Sequence, residues 1–249
     1  MKHIPRKRFG QNFLKDGEVI AGIISAIAPI SSDKVIEIGP GLGALTFPLL
    51  GRLDRLDVVE VDRDIVERLT SLRREKLFIH QADALKFDFS SLGGDLRVVG
   101  NLPYNISTPL LFHLSTFSGS IRDMHFMLQK EVIDRMIASP STHDYGRLSV
   151  MLQQKFHMEK LFEVAPESFD PAPKVWSAIV RMIPIRGARE IPGFDEIVLA
   201  AFSQRRKTLR NTLKGILDLK DFEALGIDPQ ARAENLSVAD YETIAGHKR

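Results

Sequence analysis

The chain of 249 residues is 44% hydrophobic and 27% charged, enough to bury the core of one large domain with a smaller appendage. It has no cysteine, which excludes disulfides and thiolate metal sites, and nothing in it needs an oxidising compartment. The formal net charge is only +2, so any anionic partner must be met by local clusters rather than by the chain as a whole.

A basic cluster, Arg6, Lys7 and Arg8, opens the chain, and no secretory apolar core follows it. The first helix is expected over Gly17 to Ala28, where Val19, Ile20, Ile23, Ile24 and Ile27 fall at helical spacing between Asp16, a candidate cap, and Pro29. The apolar stretch Ile20 to Ile30 is broken by Ser25 and Pro29 and is shorter than the roughly 18 residues a membrane span needs. A cytoplasmic location with no membrane partner is the expectation.

Val35–Ile38 reads as a buried strand that runs into the glycine loop Gly39-Pro40-Gly41-Leu42-Gly43, with a helix after it over Ala44 to Leu50 that is irregular at Pro48. Asp57 to Val61 is a second strand, Arg63 to Arg74 a helix, Leu77 to Ile79 a third strand, Arg97 to Val99 a fourth and Met124 to Leu128 a fifth. Strands alternating with helices predict an α/β fold with a parallel sheet covered on both faces. Phe156 to Val164 and Ser177 to Ile183 read as strands without a helix between them, a hairpin at one sheet edge. Gly187 and Pro192-Gly193 mark a linker, so residues 1–186 are expected to form the sheet domain and 187–249 a small all-α domain. In the latter, Phe194, Val198, Phe202, Leu209, Leu213 and Ile216 form an apolar seam, and Arg206, Arg210 and Lys214 step by four along its flank beside Arg205 and Lys207. These basic residues are either a contact for an anionic partner or a solvated charged face. Ser237 to Asp240 reads as a capping box opening a last helix.

Ligands of an open parallel sheet bind beyond the carboxyl ends of its strands. The loop there has glycines spaced G-x-G-x-G rather than the G-x-G-x-x-G of dinucleotide folds, a poorer cradle for a pyrophosphate and an argument against a nicotinamide-dependent dehydrogenase. Gly39 and Gly41 let the backbone approach a ligand. Glu60, at the end of the second strand, can accept from both ribose hydroxyls, with Asp62 as an alternative, and Asp83, after the third strand, can accept from an adenine amino group.

Asn101-Leu102-Pro103-Tyr104 follows the fourth strand at the same edge. An exocyclic adenine nitrogen is a weak nucleophile because its lone pair is delocalised into the ring. The Asn101 side-chain oxygen and the Leu102 carbonyl form a candidate pair of acceptors that hold both N–H bonds and favour a pyramidal nitrogen. Tyr104 offers a face on which the base stacks. Phe169, in a loop stiffened by Pro171 and Pro173, is a candidate for the other face, or a packed core aromatic. No metal-ligand spacing, phosphate-binding P-loop or serine elbow is found.

Several segments together resemble the ribosomal RNA small-subunit adenine N6-dimethyltransferase family: Arg8-Phe9-Gly10-Gln11-Asn12-Phe13-Leu14, Glu37-Ile38-Gly39-Pro40-Gly41-Leu42-Gly43, Glu60-Val61-Asp62, Asn101-Leu102-Pro103-Tyr104-Asn105-Ile106, Pro173-Lys174-Val175, Phe202 to Asn211 and Arg232 to Ser237. The resemblance spans nearly the whole chain. It implies a Rossmann-like sheet, S-adenosylmethionine as cofactor, and dimethylation of two adjacent adenines near the 3′ end of 16S rRNA in an immature small subunit by a monomeric enzyme. It also implies that Asn12 and Leu14 help hold the methionine part of the cofactor, with Gly39, Glu60, Asp83 and Asn101 completing that site. Two other readings share these residues: an assembly factor whose binding to immature subunits matters more than its catalysis, and a methyltransferase acting on large-subunit rRNA or on DNA.

Overall fold

The computed structural model describes residues 12–188 and 190–247. The basic residues Arg6, Lys7 and Arg8 lie outside the described residues.

The first elements among the described residues are a two-residue strand, β1 (Phe13–Leu14), and helix α1 (Gly17–Ile27). Asp16 caps α1 by accepting from the amides of Glu18 and Val19, and Ala28, in a left-handed conformation before Pro29, ends it. Strand β2 (Lys34–Ile38) leads through the glycine loop into α2 (Thr46–Leu50). The segment before Thr46 is turn rather than helix, and Pro48 falls in the first helical turn, where a missing N–H is tolerated. Then follow β3 (Leu56–Glu60), α3 (Arg63–Ser71), β4 (Leu77–Gln81), β5 (Leu96–Asn101), α4 (Ser107–Ser115), β6 (Ile121–Gln129), α5 (Lys130–Ile137), α6 (Arg147–Gln153), β7 (Phe156–Val164), β8 (Phe169–Asp170) and β9 (Ser177–Pro184). Helix α4 has no counterpart in the sequence reading. It is apolar around most of its surface, with Leu110, Leu111 and Leu114 all buried, and so lacks the one-sided pattern that marks a surface helix.

Seven strands form one sheet in the order β4-β3-β2-β5-β6-β9-β7. The first five are parallel, and β9 runs antiparallel to β6. The expected edge hairpin is present, with β9 between β6 and β7. The chain winds outward from β2 through β3 to β4, then returns to the other side of β2 at β5. This reversal opens a crevice beyond the carboxyl ends of β2 and β5, the place where open α/β sheets bind ligands. Gly100 allows the two strands to lie close there: a Cβ on it would sit 2.5 Å from the Ile38 carbonyl oxygen.

The core around this sheet gathers Ile23, Ile27, Val35, Leu49, Val58, Val99, Met127 and Ile179. At the amino ends of the strands, Arg97 is buried in a closed set of partners: Asp123 at 3.0 and 2.9 Å, Asp33 at 2.8 Å and the Ile27 carbonyl at 2.6 Å. Arg122 donates to the other Asp33 oxygen at 2.7 Å, so two guanidinium groups meet the two carboxylates and Arg97 is buried with its donors paired.

The chain divides into two compact units. One takes the chain up to Ile133 together with Met158–Pro184; the other takes Asp134–His157 and the chain from Ile185 onward. The division is therefore not a single cut at 187. The second unit holds α7 (Phe194–Ala201), α8 (Leu209–Thr212), α9 (Leu219–Leu225) and α10 (Val238–His247). Residues from before the linker join its core, where Tyr145 and Val150 pack with Phe194, Val198, Leu209, Leu213, Phe222 and Tyr241. The Tyr145 hydroxyl donates to the Leu236 carbonyl at 2.9 Å. Ser237 and Asp240 form the expected reciprocal cap on α10.

The basic stripe requires correction. Arg206, Arg210 and Lys214 do not follow one another along a helix, because α8 is only four residues long and Phe202 to Lys207 are in turns. The amides of Leu209 and Arg210 donate across the unit to Ala231 at 2.8 Å and Pro229 at 3.0 Å, which fixes the chain in a turned path. Arg205, Arg206, Lys207, Arg210 and Lys214 are all exposed, and Arg205 is held by Glu234 at 3.3 Å and by the His143 carbonyl at 2.6 Å.

Candidate active site

The crevice beyond β2 and β5 is a cavity of about 310 Å³, within the usual range for small-molecule sites. It is lined by Asn12, Leu14, Gly39, Gly41, Glu60, Asp83, Asn101, Leu102 and Tyr104, nine residues drawn from five separate stretches of sequence. Glu37, Val61, Leu85 and Ile106 add to its walls.

The glycine loop forms the floor. Gly39 and Gly41 have φ of +68° and +53°, left-handed values that a side chain disfavours. A Cβ on Gly41 would also meet the Phe13 ring at 3.2 Å, so that ring lies directly against the loop. Phe13 is in turn fixed by β1, which pairs antiparallel with β8 in the register Phe13 to Asp170 and Leu14 to Phe169. The Lys15 amide donates to the Ser168 carbonyl at 2.9 Å, and the Ser168 hydroxyl to Asp16 at 2.9 Å. One wall of the cavity is thus clamped to a loop far along the chain.

Glu60 is buried at the end of β3. One carboxylate oxygen accepts from the amides of Val61 and Asp62, both at 2.8 Å, and the side chain lines the cavity. Burial raises its pKa, opposed by the hydrogen bonds from those amides and from Gly41. Asp62 is engaged elsewhere, as the N-cap of α3. Asp83 accepts from the Leu85 amide at 3.0 Å and also lines the cavity.

Glu37 lies beneath the glycine loop with only 2% of its surface exposed. Burial pushes its carboxyl up to about 7; a hydrogen bond from Thr46 at 2.6 Å opposes the shift, and the negative charge of Glu60 reinforces it. Two acids share this floor, and the deeper one is held part-protonated near neutral pH.

The tetrapeptide closes the other side. The Asn101 amide nitrogen donates to the Asn12 carbonyl at 3.0 Å. This commits the nitrogen and leaves the side-chain oxygen as an acceptor. Leu102 is anchored by its amide, which donates to the Met127 carbonyl at 3.2 Å, and its side chain is buried. The Tyr104 hydroxyl lies 2.7 Å from the Ser177 hydroxyl, a contact that fixes the ring, and burial raises its pKa. Ser177 is fully buried at the start of β9 and carried no signal in the sequence, 73 positions from Tyr104. Phe13, Glu37 and Val61 also line the cavity, each within two positions of a residue that the sequence marks as a site candidate.

Phe169 is not brought to the lining. It is 1% exposed and packs in the core beside Leu14, so the packed-aromatic alternative describes its position. It pairs with Leu14 through β8 and its ring is buried in that core. Among the described residues, no group of three or more His, Asp or Glu side chains comes together as a metal site, and no helix is long and apolar enough to cross a membrane.

A sheet of this order, with a glycine floor after its first parallel strand, an acid at the end of the next and an Asn-Leu-Pro-Tyr rim after the fourth, defines a Rossmann-like S-adenosylmethionine-dependent methyltransferase. Comparison narrows the class. The family model described as ribosomal RNA adenine dimethylase matches residues 2–248, and the chain belongs to that family. It is 62% identical to a ribosomal RNA small subunit methyltransferase A of Thiobacillus denitrificans, over 98% of each chain. It is also 62% identical to the protein of that name from Chromobacterium violaceum, over 99% of this chain and 96% of that one. Among solved structures, a dimethyladenosine transferase from Plasmodium falciparum superimposes with a TM-score of 0.81 at 27% identity, covering 93% of this chain and 95% of that one. The 23S rRNA methyltransferase ErmE shares the fold, with a TM-score of 0.71 at 24% identity over 95% of this chain and 99% of its own.

Proposed function

We propose that this protein methylates N6 of two adjacent adenines near the 3′ end of small-subunit rRNA, acting as a monomer on the immature subunit in the cytoplasm. The carrying observation is the position of Asn101, with its amide nitrogen tied to Asn12 and its oxygen left as an acceptor at the rim of the cavity. The small-subunit choice rests on relatives more than 60% identical over nearly their whole length.

The cavity suits S-adenosylmethionine. The side-chain-free surface of Gly39 and Gly41 admits close approach, the Glu60 carboxylate suits ribose hydroxyls, and Asp83 suits an adenine amino group. Asn12 and Leu14 are assigned to the methionine end. Bound there, S-adenosylmethionine supplies a methyl group on a cationic sulfur, which keeps the bonding pair as the amine lone pair forms the N–C bond and a proton leaves to water. Asn101 and the Leu102 carbonyl hold the amino hydrogens, so the nitrogen lone pair is directed rather than conjugated. Tyr104, braced by Ser177, stacks on the base once it is extruded from its strand. Phe169 acts from the core, by holding β1 in place. Arg205, Arg206, Lys207, Arg210 and Lys214, with Arg6, Lys7 and Arg8, are assigned to RNA phosphates.

Labelled methyl transfer onto immature small subunits lacking the modification, followed by mapping of the labelled nucleotides, tests this. Label in two neighbouring adenines near the 3′ end is expected; label confined to large-subunit RNA would overturn the assignment.

A further inference from the structure

The segment between β8 and β9 carries the only tryptophan of the chain, Trp176, 51% exposed, next to Val175, 41% exposed. Two large apolar side chains held side by side in water need a reason. The loop is held at its end: the Trp176 carbonyl accepts from the Lys130 amide at 2.9 Å, and the following residue, Ser177, is the one whose hydroxyl meets Tyr104 at 2.7 Å. Successive Cα atoms are about 3.8 Å apart, so the indole springs from backbone directly beside the brace of the tetrapeptide. Lys174, two residues before it, is exposed or half-exposed with the rest of the loop and offers a cation to a strand passing over it.

We propose that Trp176 is a stacking platform for the nucleotide next to the adenine in the pocket. The inference rests on the reading of the cavity as an adenine methylation site and adds to it the seat of the neighbouring base. A single strand whose target base is drawn out onto Tyr104 leaves that neighbour unstacked, and an exposed indole restores a π-face to it. With two adjacent adenines as substrate, the other adenine is the 3′ neighbour in one turnover and the 5′ neighbour in the other, so a platform on one side of the pocket seats it in one of the two. Sequence-independent stacking also leaves the choice of target to the tetrapeptide.

Because Trp176 is the only tryptophan, its fluorescence reports on this contact alone. A single-stranded oligoribonucleotide with two adjacent adenines is titrated into the full chain, alongside the same strand with an abasic site in place of either adenine. The expected result is saturable quenching by the intact strand, abolished when the flanking base is removed. Trp176→Ala should weaken binding of the intact strand by roughly five- to a hundredfold, the range for one aromatic base contact. Trp176→Phe should stay within about threefold of the parent, and affinity for S-adenosylmethionine should be unchanged in both. Unquenched fluorescence, whether the strand fails to bind or the indole stays in water, overturns the platform, as does Trp176→Ala binding like the parent. The readout needs no methyl transfer, so failure of the wild-type protein to methylate any RNA would refute the function while leaving the quenching result standing.

Discussion

Glu37→Gln separates the electrostatic cost of the cavity floor from its shape. In the folded chain this carboxyl is pushed from its ordinary value of 4.5 up to about 7. The folded state therefore holds the proton more tightly than the unfolded one, and stability is full below about pH 4.5, declines as the pH rises toward 7, and is constantly lower above it. At about 1.4 kcal/mol per pH unit, the displacement costs about 3 kcal/mol at pH 8. Glutamine has nearly the same shape, carries no charge, and its side-chain oxygen still accepts from the Thr46 hydroxyl that now lies 2.6 Å from Glu37. The variant should match the parent at pH 4.5 and exceed it by up to about 3 kcal/mol at pH 8, read as urea midpoints of the ligand-free proteins. A stability difference that does not grow between these two pH values would refute the account of the buried acid pair.

Asn101→Ala should reduce methyl transfer by at least about a hundredfold, the scale of removing one oriented hydrogen-bond partner of the reacting group, while a thermal melt shifts little. Ser177→Ala should release Tyr104 and lower kcat for RNA by roughly threefold to tenfold, the worth of one hydrogen bond, with cofactor affinity unchanged and Ser177→Thr restoring part of the loss. Gly100→Ala puts a methyl group 2.5 Å from the Ile38 carbonyl, and should cost about 1–3 kcal/mol in denaturant unfolding as β2 and β5 are pushed apart. Replacing Arg206, Arg210 and Lys214 by glutamine should weaken binding to immature subunits and flatten its salt dependence, by close to one unit of slope for each phosphate no longer neutralised; an unchanged slope would remove these residues from the RNA interface.

What could be read from the sequence was what is local along the chain. Val35–Ile38 and Asp57–Val61 are short apolar runs ending at a glycine or an acid, so strand, turn and ligand-facing residue appear together in a few letters. The strand order then brings those loops to one edge without further information. Contacts between distant segments left no local trace. Ser177 bracing Tyr104 and Leu14 pairing with Phe169 depend on register between strands remote in sequence. Phe169 shows the limit clearly: two prolines in its loop suggest a displayed aromatic, but pairing with β1 decides that the ring points inward. The basic residues failed for a related reason. Spacing by four implies one helix face only if the backbone stays helical, and the amides of Leu209 and Arg210 find partners at 231 and 229 instead.

The clamp between β1 and β8 sets a schedule for biosynthesis. Phe13 and Asn12 are translated long before their partners Asp170 and Asn101, and the Asp16–Ser168 bond spans 152 positions. That wall of the cavity is thus unclamped until the chain through Asp170 has been made. A nascent chain that stops short of Ser168 lacks this clamp, so retention of a ligand in the cavity should begin only after synthesis has passed Asp170.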